Sequence, residues 1–430
     1  MKNLLLAALL CASPMAALPA HADALPLRDQ ARLIDQLTAE RFDSVLPGLM
    51  QRSGIDMWIL VSREYNEDPV LRTMLPAEWL SARRRTILVF ARDPASGKVE
   101  KLAIARYNVG SSIQAAWDMQ RFPKQWDALA ELVRSRKPGK IGINTSATFG
   151  HADGLDHTDY KELMAALPAA YRSKVVSAET LAVGWLETRT PRELALYPEL
   201  VAETHKIIAQ GFSAQVITPG TTTTEDVVWW FREKIRAMGY ETWFHPTVTI
   251  QRAGAATGNV IQPGDLLHVD IGISYLRLNT DVQQHAYVAR PGETAIPAGI
   301  LSAFSQANRL QDIVLAQFQE GRSGNQVLAA ALAQAKAEGI KPTIYSHPIG
   351  YHGHAAGPAI GMWDMQGGVP GSGEARLRPS TAYSIELNAE AELPEWQKPI
   401  RIMLEEDAWF DGKTVHYLDG RQRQPHLISK

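Results

Sequence analysis

The chain has 430 residues, of which 45% are hydrophobic and 21% charged, and its formal net charge is -2. This composition is that of an ordinary globular protein, and the length allows roughly two or three domains. A charge so close to zero gives no indication that the partner is a nucleic acid or an acidic membrane surface. Function must therefore come from a local site.

The first residues have the pattern of a secretory signal peptide. Lys2 supplies a positive charge, Leu4–Ala12 form a short apolar run, and Ala20-His21-Ala22 offers small residues for signal peptidase. We predict that residues 1–22 are removed after Ala22 and that the protein is periplasmic or secreted. The alternative is a buried N-terminal helix. No other apolar stretch of the sequence approaches the length of a membrane span.

The only cysteine is Cys11, which lies inside the predicted signal peptide. The mature protein would then have neither a disulfide framework nor a cysteine nucleophile.

The first part of the mature chain is predicted to be an α/β domain over residues 25–178. Apolar residues at helical spacing from Leu27 to Gly54 predict a helix that Pro47 bends or ends. Strand-length apolar runs follow, separated in part by helical patterns, at 57–61, 86–90 and 102–105. This segment has no evident cluster of ligands or nucleophiles, which favours a scaffold or substrate-capping role.

The second part, residues 179–430, groups helices with helices and strands with strands. The patterns predict helices at 191–215, 224–238, 297–319 and 324–338, and strands at 247–250, 266–273, 282–288, 383–387 and 400–406. Such grouping indicates an α+β fold rather than a doubly wound parallel sheet.

Several carboxylates stand in or beside apolar strands of this second part. Asp270 and Glu386 each interrupt an apolar run, where a buried carboxylate is costly unless it is paired or bound to a metal. Asp281 precedes the strand 282–288; an aspartate at a strand end, taken alone, is more often a cap or a turn-forming residue.

The last strand carries two adjacent acids, Glu405 and Glu406. Alternation places Glu406 on one face with Ile402 and Leu404, so we predict that Glu406 is the inward-pointing acid and keep Glu405 as the alternative.

Histidines cluster at His347, His352 and His354, although the chain has only 12 in all. Histidine is both a common metal ligand and the usual general acid or base near neutral pH. Two aspartates, two glutamates and one imidazole form an oxygen-rich set that suits manganese, cobalt or zinc. Four acids also provide enough charge for two ions, which would acidify a bridging water and polarise a carbonyl.

From about Trp185 to its end, the chain resembles the pita-bread (M24) metallopeptidases: methionine aminopeptidase, Xaa-Pro aminopeptidase and prolidase. The matching features are, in chain order, Thr190-Pro191-Arg192-Glu193-Leu194, Pro219-Gly220-Thr221-Thr222, the stretch 264–272 with Asp270, then Asp281, His347, His354, Glu386 and Glu406-Asp407. The resemblance implies a C-terminal pita-bread fold of the α+β class, preceded by a smaller α/β domain of the creatinase/prolidase type.

The resemblance also implies a role for each site residue. Asp270 and Glu406 would bridge two divalent ions, manganese being expected and cobalt or zinc the alternatives. Asp281 would complete the ligands of one ion, and His347 and Glu386 would bind the other. Glu386 would also accept a proton from the attacking water, and His354 would hydrogen-bond the scissile carbonyl.

The chain departs from the family pattern at several places. The family usually has a further histidine upstream of the first metal aspartate, whereas residues 251–254 contain none; His245 is the nearby alternative. Gln283-Gln284 stand where Thr-Arg is expected. An inserted loop at 361–373, with Trp363 and Asp364, either shapes a pocket or covers the rim.

Together these features predict an exported dinuclear metal-dependent aminopeptidase that acts on short peptides, with Xaa-Pro specificity as one option. Two alternatives stay open: a metal-dependent hydrolase of another small amide or ester, and a non-catalytic binding protein on the same fold. Neither a nucleic-acid nor a membrane partner is expected after signal removal, and a homodimer is an open option.

Overall fold

The computed structural model describes residues 24–254 and 257–429. The predicted signal peptide, residues 1–22, lies outside the described residues. Among the helices that are described, none combines the length and apolarity needed to cross a membrane.

The N-terminal unit is built around a six-stranded mixed sheet with the strand order β4-β3-β2-β1-β5-β6. Its strands are β1 Met57–Arg63, β2 Arg85–Arg92, β3 Val99–Ile104, β4 Gln114–Ala115, β5 Ile141–Ile143 and β6 Val175–Ser177. Its helices are α1 Leu27–Ser44, α2 Leu46–Ser53, α3 Pro69–Met74, α4 Gln125–Arg136, α5 His157–Ala166, α6 Ala169–Arg172 and α7 Glu179–Glu187, with a 3-10 turn at Gly150–Ala152. The three strands predicted in this part are therefore confirmed.

The predicted break near Pro47 is also present. α1 ends at Ser44, and α2 begins at Leu46 with Pro47 in its first turn, where the missing N–H costs no hydrogen bond. The predicted domain boundary after residue 178 falls directly before α7. Leu181 and Trp185 of that helix pack into the core of the N-terminal sheet.

The C-terminal unit is built around a nine-stranded sheet with the central order β12-β14-β15-β11-β8-β7, to which β13, β16 and β17 add beside β14, β15 and β11. Its main strands are β7 Thr247–Gln251, β8 Leu266–Ile271, β11 Val282–Val288, β12 Lys341–Ile344, β13 His347–Ile349, β14 Thr381–Leu393, β15 Lys398–Phe410, β16 Val415–Tyr417 and β17 His426–Ile428. A separate ribbon pairs β9 Ser274–Tyr275 with β10 Leu278–Asn279.

Four helices belong to this sheet: α8 Pro191–Gly211, α9 Thr224–Ala237, α10 Ala298–Ala316 and α11 Gly324–Ala337. Three of them, α8, α9 and α11, start at a capping box, formed by Thr190 with Glu193, Thr223 with Asp226 and Ser323 with Gln326. Each box satisfies two backbone N–H groups that a helix start leaves unpaired. Two further 3-10 turns lie at Ser372–Glu374 and Pro394–Trp396.

The two faces of the nine-stranded sheet differ in chemistry. On the outer face, Ile385, Leu387 and Leu404 pack against Phe304 and its neighbours on α10 in one apolar cluster. Val269 and Ile271 pack with α8 and α9 residues in a second apolar cluster. Because side chains alternate along a strand, residues between these apolar ones point to the opposite, inner face. The polar residues of the central strands collect there.

Candidate metal centre

Four polar side chains form a row across the inner face, on four neighbouring strands. Asp270 on β8 lies opposite Gln283 on β11, Gln283 lies opposite Glu405 on β15, and Glu405 lies opposite Glu386 on β14. Directly opposed residues of antiparallel strands point to the same face with Cβ atoms roughly 5 Å apart. The register alone therefore brings three carboxylates and one amide into contact range.

A second row lies two residues further along the same strands. Ser384 on β14 pairs with Asp407 on β15 and with His347 on β13. Asp281, at the start of β11, joins this row because its backbone N–H donates to Asp407 Oδ2 at 3.0 Å. The Ser384 hydroxyl donates to Glu405 Oε1 at 2.6 Å and so links the two rows.

His347 is the point where the carboxylates of both rows converge. Its Nε2 lies 3.4 Å from Glu405 Oε1, 3.7 Å from Asp281 Oδ2 and 3.8 Å from Glu386 Oε2. Three groups of ligand atoms lie within 4.8 Å of one another: Asp270 with Asp281 and Glu405, His347 with Glu386 and Glu405, and Asp281 with His347 and His354. Since Glu405 belongs to two of these groups, the cluster could hold two neighbouring cations.

The electrostatics of the cluster are unfavourable without a cation or bound protons. Burial, reinforced by the Glu405 carboxylate, raises the pKa of Asp270 to about 8. Burial and the neighbouring carboxylates also raise the pKa values of Asp281 and Glu386 well above their usual range. Desolvation and like-charge repulsion both disfavour the ionised form, and a divalent cation removes both penalties.

Three buried ligand atoms in the cluster lack any hydrogen-bond partner: Asp270 Oδ1, Asp281 Oδ1 and His347 Nε2. Buried polar atoms are nearly always paired, so unpaired ones grouped at one place need an explanation. Carboxylate oxygens with one imidazole nitrogen suit manganese, cobalt or zinc. The residues at this site therefore fit a divalent metal ion.

The prediction that Glu406 joins the cluster is wrong, and Glu405 takes its place. The Glu406 carboxylate lies on the outer side of the sheet, where it accepts from the Gln422 backbone N–H at 2.8 Å and from Gln284 Nε2 at 3.2 Å. His205 Nε2 lies 2.7 Å from its other oxygen.

The error has a plain physical cause. Alternation does place Glu406 on the same face as Ile402 and Leu404, as predicted, but that face packs against α10. The site lies on the other, polar face of the strand.

His354 lies beside the cluster at its solvent-accessible side. Its ring centroid is 4.8 Å from that of His347 and 5.2 Å from that of Trp243, both in edge-to-face contact. Gly353 allows the Trp243 approach, because a Cβ there would lie 2.2 Å from the indole ring. His354 can therefore face a molecule that reaches the cluster from solvent.

Of the departures from the family pattern, Gln283 lies in the row of acids, whereas the upstream stretch with His245 and the inserted loop lie away from the cluster. His245 is exposed and contacts α9, with its Nδ1 3.0 Å from Arg232 Nη1 and its ring 5.4 Å from that of Trp229. In the described part of the chain, we find no contact of His245 with the acidic cluster. Arg252, in the stretch without histidine, pairs with Asp265 at 2.6 Å. In the inserted loop, Trp363 is 73% exposed, so its ring does not line a closed pocket.

Sequence reasoning missed three members of the site. Gln283 and Asp407 lie on the inner face at the same alternation as Asp281 and Glu405, a signal that was available. Tyr345, next to β12, donates its backbone N–H to the Glu386 carbonyl at 3.1 Å, and burial raises the pKa of its phenol. Nothing in the local sequence marks Tyr345.

The model of metallopeptidase family M24 matches residues 199–409, the region that contains every one of the clustered acids and His347. This part of the chain belongs to that family. The protein is a metallopeptidase of the M24 type, as the sequence pattern predicted. No curated protein matches the chain.

Solved structures with the same fold are similar over most of their length. An X-Pro aminopeptidase from Thermotoga maritima MSB8 has a TM-score of 0.62 and 15% identity, covering 88% of this chain and 99% of that one. A Xaa-Pro dipeptidase from Bacillus anthracis has a TM-score of 0.58 and 16% identity, with 93% and 100% covered. A prolidase from Pyrococcus furiosus has a TM-score of 0.53 and 15% identity, with 88% and 100% covered. These likenesses confirm the predicted α+β pita-bread fold with its N-terminal domain.

The placement of Glu405 and Glu406 can be tested by a matched pair of substitutions. Glu405→Gln should weaken manganese binding by more than the roughly 10- to 100-fold typical of residues outside the ligand set, because it removes a charge that belongs to two of the three groups of ligand atoms. Glu406→Gln should keep the wild-type affinity. Isothermal titration of the metal-free proteins measures both constants, and the reverse order of effects would refute the assignment.

The crowded carboxylates also predict the pH dependence of the metal-free protein. With a pKa of about 8 in the folded state, Asp270 keeps a proton between about pH 4 and 8 that the unfolded chain has released. The free energy of unfolding should therefore fall as the pH rises through this window, by up to about 1.4 kcal/mol per pH unit for one proton.

Urea denaturation in the presence of a chelator measures this slope. Asp270→Asn should make it shallower, because the amide does not titrate, and added manganese should remove it. A wild-type slope that is flat or rising between pH 4 and 8 without metal would contradict the electrostatic description.

Proposed function

We propose that this metallopeptidase is an exported, dinuclear aminopeptidase that hydrolyses the N-terminal peptide bond of short peptides, with a preference for Xaa-Pro. The observation that carries the proposal is the convergence of Asp270, Asp281, Glu386, Glu405 and His347, with unpaired buried atoms on three of them. Manganese is the proposed metal, because this is a mainly oxygen donor set with a single imidazole.

Each residue has a proposed role. Asp270, Asp281 and Glu405 would hold one cation, and His347, Glu386 and Glu405 the other, following the two groups that share Glu405. Two bound divalent ions supply the positive charge that acidifies water and polarises a peptide carbonyl.

Two side chains would supply the proton acceptor and the hydrogen-bond donor of the reaction. The Glu386 carboxylate, which lies 3.8 Å from His347 Nε2, would also accept a proton from the attacking water. His354, at the accessible side of the cluster, would donate a hydrogen bond to the carbonyl oxygen of the scissile bond.

The substrate class is supported by the neighbours of the same fold, whose names describe X-Pro aminopeptidase, Xaa-Pro dipeptidase and prolidase. A second candidate, hydrolysis of another small amide or ester, is favoured by one observation. The upstream stretch that holds a histidine in the family instead holds Arg252, engaged with Asp265, and His245 faces α9.

A panel of short peptides with and without proline at the second position, supplemented with manganese, cobalt or zinc, tests the function. Release of the N-terminal residue, measured by mass spectrometry, should be fastest for Xaa-Pro peptides and should stop with chelator. Cleavage of simple amides or esters without peptide cleavage would favour the second candidate. A protein that binds metal yet leaves the whole panel intact would contradict both.

His354→Ala separates the oxyanion role from metal binding. The variant should retain the wild-type metal content, because all five proposed ligands remain. It should lose kcat by about 10²-fold or more, the range for one oxyanion donor. His157→Ala, an exposed histidine at the start of α5, is the matched control and should leave kcat unchanged. Equal kcat values in both variants would remove His354 from the mechanism.

Export rests on the sequence pattern of residues 1–22 alone. Expression of the full chain in a Gram-negative host should yield a periplasmic product whose intact mass corresponds to a chain starting at Asp23. A cytosolic product that retains Met1 to Ala22 would disprove export.

A further inference from the structure

Gln283 occupies the middle of the inner-face row, between Asp270 and Glu405, and its side chain is buried. Its amide Nε2 donates to Glu405 Oε2 at 2.7 Å and also to Glu386 Oε1. A single neutral group thus bridges two of the acids assigned to the metal centre. None of the roles assigned above uses it.

The bridge determines which carboxylate oxygens face the cation positions. In Glu386, Oε1 contacts Gln283 and Oε2 lies 3.8 Å from His347 Nε2. In Glu405, Oε2 contacts Gln283 and Oε1 lies 3.4 Å from the same nitrogen. Each acid therefore has one oxygen held by the amide and one oxygen left for a cation.

His268 fixes the orientation of the amide by contacting its oxygen, on the side away from Glu386 and Glu405. Carboxylates that bind a cation are ionised and only accept hydrogen bonds, so the NH₂ group of Gln283 must face Glu386 and Glu405 in the metal-bound centre. Its Oε1 then points to His268 Nε2 at 2.8 Å, and this nitrogen must carry the proton. Thr249 Oγ1 lies 3.4 Å from His268 Nδ1, the nitrogen left as acceptor.

A second buried imidazole holds the His268 ring in place. His285, which is fully buried, packs with its ring centroid 5.1 Å from that of His268. Its Nδ1–H donates to the Leu267 carbonyl at 2.9 Å, and its Nε2 accepts the Met403 backbone N–H at 3.0 Å. Because backbone groups of two strands fix His285, the support behind Gln283 belongs to the rigid part of the sheet.

We propose that Gln283 is a positioning residue of the metal centre and that His268 keeps its amide in the required orientation. The pair sets one oxygen of Glu386 and one of Glu405 toward the cations before any cation binds. The inference rests on the proposed metal-dependent function and deepens it. Removal of a group that hydrogen-bonds to a metal ligand usually lowers the metal affinity by about 10- to 100-fold.

The test compares manganese affinity in a matched series of metal-free proteins by isothermal titration. Gln283→Met keeps the volume of the side chain but cannot donate, and should weaken manganese binding by about 10- to 100-fold. His268→Phe keeps a buried ring but cannot donate to Gln283 Oε1, and should weaken binding in the same direction. His268→Gln retains a donor of similar reach and should restore the wild-type constant.

The outcomes separate this inference from the proposed function. A wild-type protein that binds no manganese would overturn the metal centre itself. Wild-type affinity in both Gln283→Met and His268→Phe, with normal wild-type binding, would overturn only the positioning role. Circular dichroism and the thermal midpoint in chelator identify a variant that does not fold. If Gln283→Met fails to fold, the comparison of His268→Phe with His268→Gln decides alone, since equal constants in that pair refute the proposal.

Discussion

The mutual repulsion of carboxylates that share one buried patch is the constraint on which this structure depends. Asp270, Asp281, Glu386 and Glu405 lie together on the inner face of the sheet, and Asp407 is buried beside them. Burial of an uncompensated charge is far costlier than any single packing contact can offset. Such a patch persists only if the surrounding fold is rigid enough to hold it and if cations or protons balance the charge.

The two faces of the sheet have separate roles: one stabilises the fold and the other carries the acids. On β15, Ile402 and Leu404 pack against α10. Glu405, the residue after Leu404, points to the inner face, where the site lies. The apolar face supplies the hydrophobic stabilisation that keeps the strands in register, and the register sets the spacing of the acids. Adjacent residues of the same strand thus serve opposite purposes. Glu406 shows that a polar residue also occurs on the outer face, where His205 and the Gln422 backbone satisfy it.

This division explains what the sequence could and could not predict. Asp270 and Glu386 stand out because a charge within an apolar run needs compensation, and the structure brings them together with Asp281 and His347. Strand alternation sorts residues into two faces but does not say which face the helices cover, and the choice between Glu405 and Glu406 depended on that. Apolar periodicity predicted the four long helices of the C-terminal unit and its strands β7, β8, β11, β14 and β15, but not the short strands β12, β13, β16 and β17. Alternation along β11 puts Gln283 on the same face as Asp281, but the role of its amide depends on neighbours across the sheet that the sequence does not show.

The N-terminal unit contributes no acid to the cluster, yet it holds the segment that carries two of the site's histidines. Arg41 of α1 is fully buried; it donates to Glu193 at 2.8 Å and its guanidinium lies 4.9 Å from the Tyr351 ring. The Tyr351 hydroxyl donates to the other oxygen of Glu193 at 3.1 Å. The His151 ring lies tilted against that of His352, with ring centroids 4.2 Å apart. The turn between His347 and His354 is therefore fixed at two consecutive residues by the N-terminal unit. Removing one partner of a buried ion pair costs about 3–5 kcal/mol. The Arg41–Glu193 pair therefore helps to keep the two units in one arrangement. The position of His354 beside the cluster thus depends on a domain that has no ligand of its own.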